Sequence, residues 1–377
     1  MGFTFGKNAL EGQMTRLKSL VLGVATAALL AGGVASPSFA IEIGTFTNNL
    51  TGGSIGLPLG AAPPPGVYSG FESLYGAPGG QNGNNIGNQG LNNNGVNQPL
   101  GTPNSSRTES VFIGIVPIVW ATGYQFFGGN LTLNAVQAFY TASVDGPGIP
   151  VPGANFNGLL ANGNPPFVGI TSPTIANTTW GGSLSWNLGQ GWFFAAGFAF
   201  EAPDGSRYQA TFNPDYWSFE PTWAISYIAN NWVLSANFAY FFNTASRGTC
   251  CFLQNAAGNG YLNGQELYVD LTALYKIGKW EIGPVASIVT QTTADQPGSG
   301  FTCATMAALN PGDQCGRENR IRVGGLIGYD FGLVSLQAWV TDDVYCRDVA
   351  ACGVAVWSRL GFKIWGPEAP KPLVAKN

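Results

Sequence analysis

From Asp215 to Ile228 the chain reads DYWSFEPTWAISYI, and its two parities differ in chemistry. Trp217, Phe219, Pro221, Trp223, Ile225 and Tyr227 are apolar, while Ser218, Glu220, Thr222, Ala224 and Ser226 are small or polar. Successive side chains of a strand point to opposite faces, so a strand separates these sets completely, whereas a helix would mix them. The same alternation, rich in aromatic and β-branched residues, recurs along the chain. It predicts strands over 66–76, 107–122, 130–143, 177–188, 191–201, 215–228, 231–243, 264–276, 279–292, 319–331, 333–344 and 354–365.

The connections between these twelve segments alternate in length. Residues 123–129, 189–190, 229–230, 277–278 and 332 are short links, while 77–106, 144–176, 202–214, 244–263, 293–318 and 345–353 are longer. An even strand number with short turns at one end and long loops at the other is the plan of an outer-membrane barrel, with periplasmic turns and extracellular loops. A water-soluble β-sandwich also alternates, but its strands are usually about 5–6 residues; here they run about 10–14. Aromatics near both strand ends, such as Trp180 with Trp186, Trp217 with Tyr227 and Trp232 with Phe242, suit the two girdles of a membrane barrel. The expected fold class is therefore all-β: a transmembrane antiparallel β-barrel.

Composition agrees. Only 10% of residues are charged and 45% are apolar, against about 25% charged in soluble domains. A wall facing hydrocarbon explains the deficit, since Lys or Arg at the midplane costs about 2–4 kcal/mol. Closure is compulsory, because an open edge leaves unpaired backbone groups in lipid. The chain has no histidine, which removes imidazole-based acid–base catalysis and histidine-ligated metal sites. Sixteen basic against twenty acidic residues provide no basic footprint for nucleic acid.

The N-terminal region reads as an export leader. Arg16 and Lys18 precede an apolar run from Leu20 to Leu30, and Ser38-Phe39-Ala40 forms a small-x-small cleavage site. The expected organisation is upstream residues plus a cleaved signal over 1–40, a periplasmic segment over 41–65, the barrel over 66–365 and a periplasmic tail over 366–377. The Gly- and Asn-rich stretch 79–97 is too polar to bury and reads as a flexible external loop.

Candidate chemistry is sparse. Gly52-Gly53-Ser54-Ile55-Gly56 matches a nucleophile-elbow pattern, but without a histidine base or a strand–turn–helix setting it reads as a turn. Parity turns Glu220, Glu266, Asp270 and Glu281 towards the lumen, and likewise Arg320, Arg322, Arg359 and Lys363. Two readings stay open: a basic wall facing an acidic one across the pore, or salt bridges that stiffen and plug it. Six cysteines all fall in loops predicted to be external. Cys303–Cys315 and Cys346–Cys352 are expected as disulfides closing their own loops, with Cys250 and Cys251 unassigned. No C-x-x-C spacing supports a zinc site, and no cofactor is expected.

Several segments resemble the outer-membrane transporter family known as meta-pathway phenol-degradation proteins. They are Pro63-Pro64-Pro65-Gly66-Val67-Tyr68, Tyr216-Trp217-Ser218-Phe219-Glu220-Pro221 with Ser226-Tyr227, Trp232 to Phe242, Gly264 to Tyr275, Trp280-Glu281-Ile282-Gly283-Pro284, and Leu360 to Trp365. The resemblance implies an outer-membrane barrel taking up aromatic or other hydrophobic compounds. The chain departs from the family's pattern at Tyr261-Leu262-Asn263-Gly264, where an Arg-Ser-Gly turn is usual, and in its cysteine-bearing loops. The expected function is a non-enzymatic channel for small solutes, with membrane lipid and the solute as partners; the alternative is a structural or adhesive barrel acting through its loops.

Overall fold

The computed structural model describes residues 52–76, 90–91, 97–98, 108–145, 170–206, 213–247, 260–298, 317–347 and 353–367. Twelve strands form the barrel: β1 (Gly66–Gly76), β2 (Thr108–Phe126), β3 (Gly129–Asp145), β4 (Ile170–Gly189), β5 (Trp192–Ala202), β6 (Ser218–Ala229), β7 (Trp232–Asn243), β8 (Glu266–Ile277), β9 (Trp280–Gln291), β10 (Asn319–Asp330), β11 (Val334–Arg347) and β12 (Ala355–Trp365). Each strand pairs antiparallel with its chain neighbours, and β1 closes on β12. Between β1 and β2, Gly90–Leu91 pairs separately with Asn97–Gln98. Among the described residues no helix is long and apolar enough to cross a membrane; the strands cross instead.

Local chemistry sets the tight turns. Phe127–Gly128, Gln190–Gly191 and Asn230–Asn231 all carry positive φ, the mirror-image turn geometry whose twist matches the flanking strands. Gly278 and Gly332 supply positive φ at the other two short links. Within the wall, the ladder skips at Pro117, Pro221 and Pro284, because proline has no N–H to donate.

The lipid face is apolar and aromatic. Trp217 just before β6 and Phe219 and Trp223 on it are exposed, as are Ile321, Val323 and Ile327 on β10. At the short-turn end Trp192 meets Tyr227, Trp232 meets Tyr275 and Trp280 meets Tyr329, with ring centroids 4.7–5.0 Å apart. At the long-loop end Phe200 packs on Trp217 and Tyr240 on Phe242. Aromatic rings thus gather at both ends of the wall, as in the two girdles of a membrane barrel.

Two expectations change. Strand β6 begins at Ser218 rather than 215, because Asp215 and Tyr216 tuck into the rim, fully buried, before the ladder starts. The segment before β1, expected over 41–65 as a periplasmic segment, lies inside the barrel from Gly52 to Pro65. Its backbone finds hydrogen-bond partners on the inner wall that a free segment would take from water.

Candidate functional site

The strap formed by Gly52–Pro65 enters at the short-turn end and rises to mid-barrel. Two turns fold it, with Ile55 N donating to Gly52 O and Leu57 N to Ser54 O. Wall side chains serve the rest. The N–H groups of Ser54, Gly56, Gly60 and Ala62 donate to Asp270 Oδ2, Thr272 Oγ1, Ser226 Oγ and Ser185 Oγ, at 2.9–3.0 Å. Its carbonyls accept from Asn237 Nδ2, which reaches Ser54 O and Leu57 O at 3.0 Å, and from Arg359, which reaches Ile55 O and Gly53 O at 2.6 Å. Gln337 Nε2 also reaches Gly56 O at 3.3 Å, so polar side chains of six different strands provide what a ladder would.

Two glycines make this docking possible. Gly56 has φ +80, and a Cβ there would sit 2.9 Å from Gln337 and Leu326. Gly60 lies so close to β6 that a Cβ would come within 2.7 Å of the Ser226 nitrogen. On the side facing β7 to β12, Ile55 is fully buried among Val233, Leu274, Val285, Leu326, Trp339 and Trp357. Trp339 and Trp357 stack at 5.4 Å, with the Arg359 guanidinium 4.7 Å above the Trp339 ring. That half of the lumen is packed like a protein core.

The other half is open. A cavity of about 560 Å³ lies between the strap, at Ser54 and Leu57, and the inner faces of the neighbouring strands. Its walls are largely apolar, including Ile113, Tyr140, Ala195 and Ala199, and Glu201 and Glu220 project into it.

Each of the eight predicted lumen residues has an inward parity in the barrel, with different surroundings. Glu220, Glu266, Asp270 and Arg322 are buried. Asp270 holds the strap through Ser54 and also accepts from Ser287. Glu266 accepts from Tyr268, and Glu281 from Gln337. Lys363 is exposed at the short-turn rim, its ammonium over the Tyr68 ring.

Of the two readings left open, a basic wall facing an acidic one or salt bridges, the charge partners favour salt bridges for three of the four cations. Arg322 pairs with Asp343 at 2.9 Å and Arg320 with the same carboxylate at 3.5 Å, across β10 and β11. Arg359 pairs with Glu72 at 2.7 Å, across β12 and β1. These are pairs between adjacent strands, so the cations are neutralised where they stand. Glu72, Glu201 and Asp343 were absent from the sequence-derived set, although each has its strand's inward parity. Alternation selects them as it selects Glu220. A bulge opposite Ile321 and Arg322 keeps Asp343 inward while Tyr345 faces out. The elbow-like Ser54 donates its hydroxyl to Asp270 Oδ2 at 2.8 Å, so it is engaged in holding the strap.

At the long-loop end a second buried cluster closes the rim. Asp295 Oδ1 accepts from Gly264 N at 2.8 Å and from Gln291 Nε2, and Gln291 Oε1 accepts from Glu318 N at 2.7 Å. Burial raises the Asp295 carboxyl to about 7, the hydrogen bonds from Gly264 and Gln291 opposing and nearby Glu318 adding to the rise. A raised acid favours the closed form when protonated. The stability it lends is complete below the unfolded value near 4 and fades as pH rises towards 7. Hydrogen-exchange protection of 292–298 should therefore fall by about a hundredfold between pH 5 and pH 8, and Asp295→Asn should abolish that dependence. Equal protection at both pH values in the unsubstituted chain would contradict it.

The cysteine predictions are not tested. Cys250, Cys251, Cys303, Cys315 and Cys352 lie outside the described residues, as does the side chain of Cys346. The leader and its cleavage site also lie outside them.

The family described as "Putative MetA-pathway of phenol degradation" matches residues 76–360. No curated protein sequence matches the chain. Among solved structures, an outer membrane channel from Pseudomonas putida F1 aligns with TM-score 0.53 and 13% identity, covering 80% of this chain and 96% of the other. A mutant of the TodX monoaromatic hydrocarbon channel aligns with TM-score 0.38 and 12% identity over 88% of this chain and 97% of the other. A FadL homologue of Pseudomonas aeruginosa gives TM-score 0.37 and 11% identity over 88% and 99%.

Proposed function

The chain belongs to the putative MetA-pathway phenol-degradation family, and from that premise we propose that it is an outer-membrane channel passing small, largely apolar solutes through its lumen. The observation that carries the reading is the cavity itself: about 560 Å³ inside a closed wall, floored by a strap with no strand or helix of its own. The volume suits a small organic molecule. The walls offer an aromatic or aliphatic body the burial that water denies it. With the short turns on the periplasmic side, the strap lies between the cavity and the periplasm.

Passage then needs the strap to yield. Its attachments are separate side-chain hydrogen bonds, worth about 0.5–1.5 kcal/mol net for the neutral ones and about 1.5–3 kcal/mol for those to Asp270 and Arg359, rather than a cooperative ladder. A solute in the cavity competes with Leu57 and Leu59 for the same apolar wall.

A strain lacking the gene, with the gene restored on a plasmid, tests this. Uptake of a dilute labelled monoaromatic should depend on the restored gene, and removal of loop residues 77–106 should leave it largely intact. Uptake equal with and without the gene would favour a barrel that acts through its loops.

A further inference from the structure

The open half of the lumen carries two carboxyl groups that the solute path does not require. Glu201 ends β5 and Glu220 begins β6. The register pairs Glu201 with Ser218 and Ala199 with Glu220, so the two acids are diagonal neighbours on one face, about 7–8 Å apart at Cα. Both line the cavity. Glu201 is 5% exposed, and its Oε1 accepts from Asn177 Nδ2 at 2.8 Å. Asn177 is itself fixed, accepting from Gly205 N and donating to Pro214 O.

Glu220 differs. It is 7% exposed and lines the cavity, and among the described residues it makes no hydrogen bond or ion pair. The cation that also reaches this cavity is Arg359, whose donors are taken by Glu72, Gln337, Gly53 O and Ile55 O. Asp270, also on the wall, is occupied by Ser54 and Ser287. Among the described residues the cavity therefore holds more acid than base, with one carboxyl left open towards its interior.

We propose that the cavity binds an organic cation, a protonated amine on a small apolar or aromatic body, with the ammonium at Glu201 and Glu220. The inference rests on the channel reading for what the bound solute does next. A bare inorganic cation would leave most of about 560 Å³ unfilled, whereas an aromatic ammonium uses the whole site. Its ring lies against Ile113, Ala195 and Ala199. An unpaired buried carboxyl is costly. A donor carrying the opposite charge relieves that cost, and a carboxylate-bearing solute would add to it.

The test is calorimetric titration of the detergent-solubilised full chain with 2-phenylethylammonium, its neutral counterpart 2-phenylethanol, and phenylacetate. The ammonium should bind at least about tenfold more tightly than the alcohol, as expected for a charge-assisted hydrogen bond in a desolvated site, and phenylacetate more weakly than either. Glu220→Gln should bring ammonium and alcohol to within about twofold of each other and leave the alcohol's affinity unchanged, while Glu220→Asp retains the preference. Variants are compared only where unboiled gel mobility and β-type circular dichroism match the parent; should Glu220→Gln fail this, Glu201→Gln is read in its place. Equal binding of ammonium and alcohol by the parent, or a preference that survives Glu201→Gln with Glu220→Gln, overturns the proposal. Displacement of the ammonium by sodium at equal concentration overturns it too. Monoaromatic uptake without an ammonium preference removes this inference alone. Ammonium binding without any uptake removes the channel reading.

Discussion

Deleting residues 52–62 raises the conductance of the purified barrel in planar bilayers severalfold and turns brief openings into a sustained current. The expectation follows from where those residues lie. They occupy mid-lumen from Ser54 to Ala62, tied to β4, β6, β7, β8, β11 and β12 by side-chain hydrogen bonds. They contribute no strand to the wall, so the twelve-strand ladder is complete without them. The deletion should leave heat-modifiable gel mobility intact for the same reason. Gly60→Val should act in the same direction by another route, since its Cβ alone would meet the Ser226 nitrogen at 2.7 Å. Ser185, Ser226 and Thr272 are then freed to hydrate the pore. A deletion variant with the conductance of the parent would show that the strap does not close the permeation path.

Arg359→Met should destabilise the barrel by about 3–5 kcal/mol, the cost of leaving one partner of a buried pair uncompensated. The guanidinium is 11% exposed and Glu72 8%, and their 2.7 Å contact ties β12 to β1 where the barrel closes. The same side chain serves two strap carbonyls and Gln337. Its removal strands Glu72 in a dry interior and loosens the strap together. Adding Glu72→Gln to Arg359→Met should recover more than half of the loss, because no buried charge is then left alone. Urea unfolding of the refolded variants measures both steps. A single variant within about 1 kcal/mol of the parent, below the range for broken buried pairs, would mean that water or a rearranged partner satisfies Glu72.

The wall was legible before the structure because membrane burial writes a strict rule into it. Trp217, Phe219 and Trp223 must alternate with Ser218, Glu220 and Thr222 if one face meets hydrocarbon and the other does not. That rule gave all twelve strands to within a few residues, apart from the longer reach of β2 to Phe126 and of β4 back to Ile170. It also gave the inward parity of the charged residues. The departures fall where the local pattern is weak: the rim around Asp215 and Tyr216, and the bulge beside Asp343.

Parity could not say which charges meet. Arg322 and Asp343 are 21 residues apart in sequence and Arg359 and Glu72 are 287 apart, and register across strands decides such pairs. Nor could the strap be read. Residues 52–65 are Gly- and Pro-rich and show no period, so alone they describe a free segment. Their place is set by Ser185, Ser226, Thr272, Asn237 and Arg359, donors and acceptors gathered from strands that only closure brings around one axis. Sequence by itself determined the barrel, its strand number and which side chains face inward, because the lipid imposes a period of two on every strand. Tertiary structure alone decided that one half of the lumen is packed, that the other is open, and that among the described residues Glu220 stands in the open half without a partner.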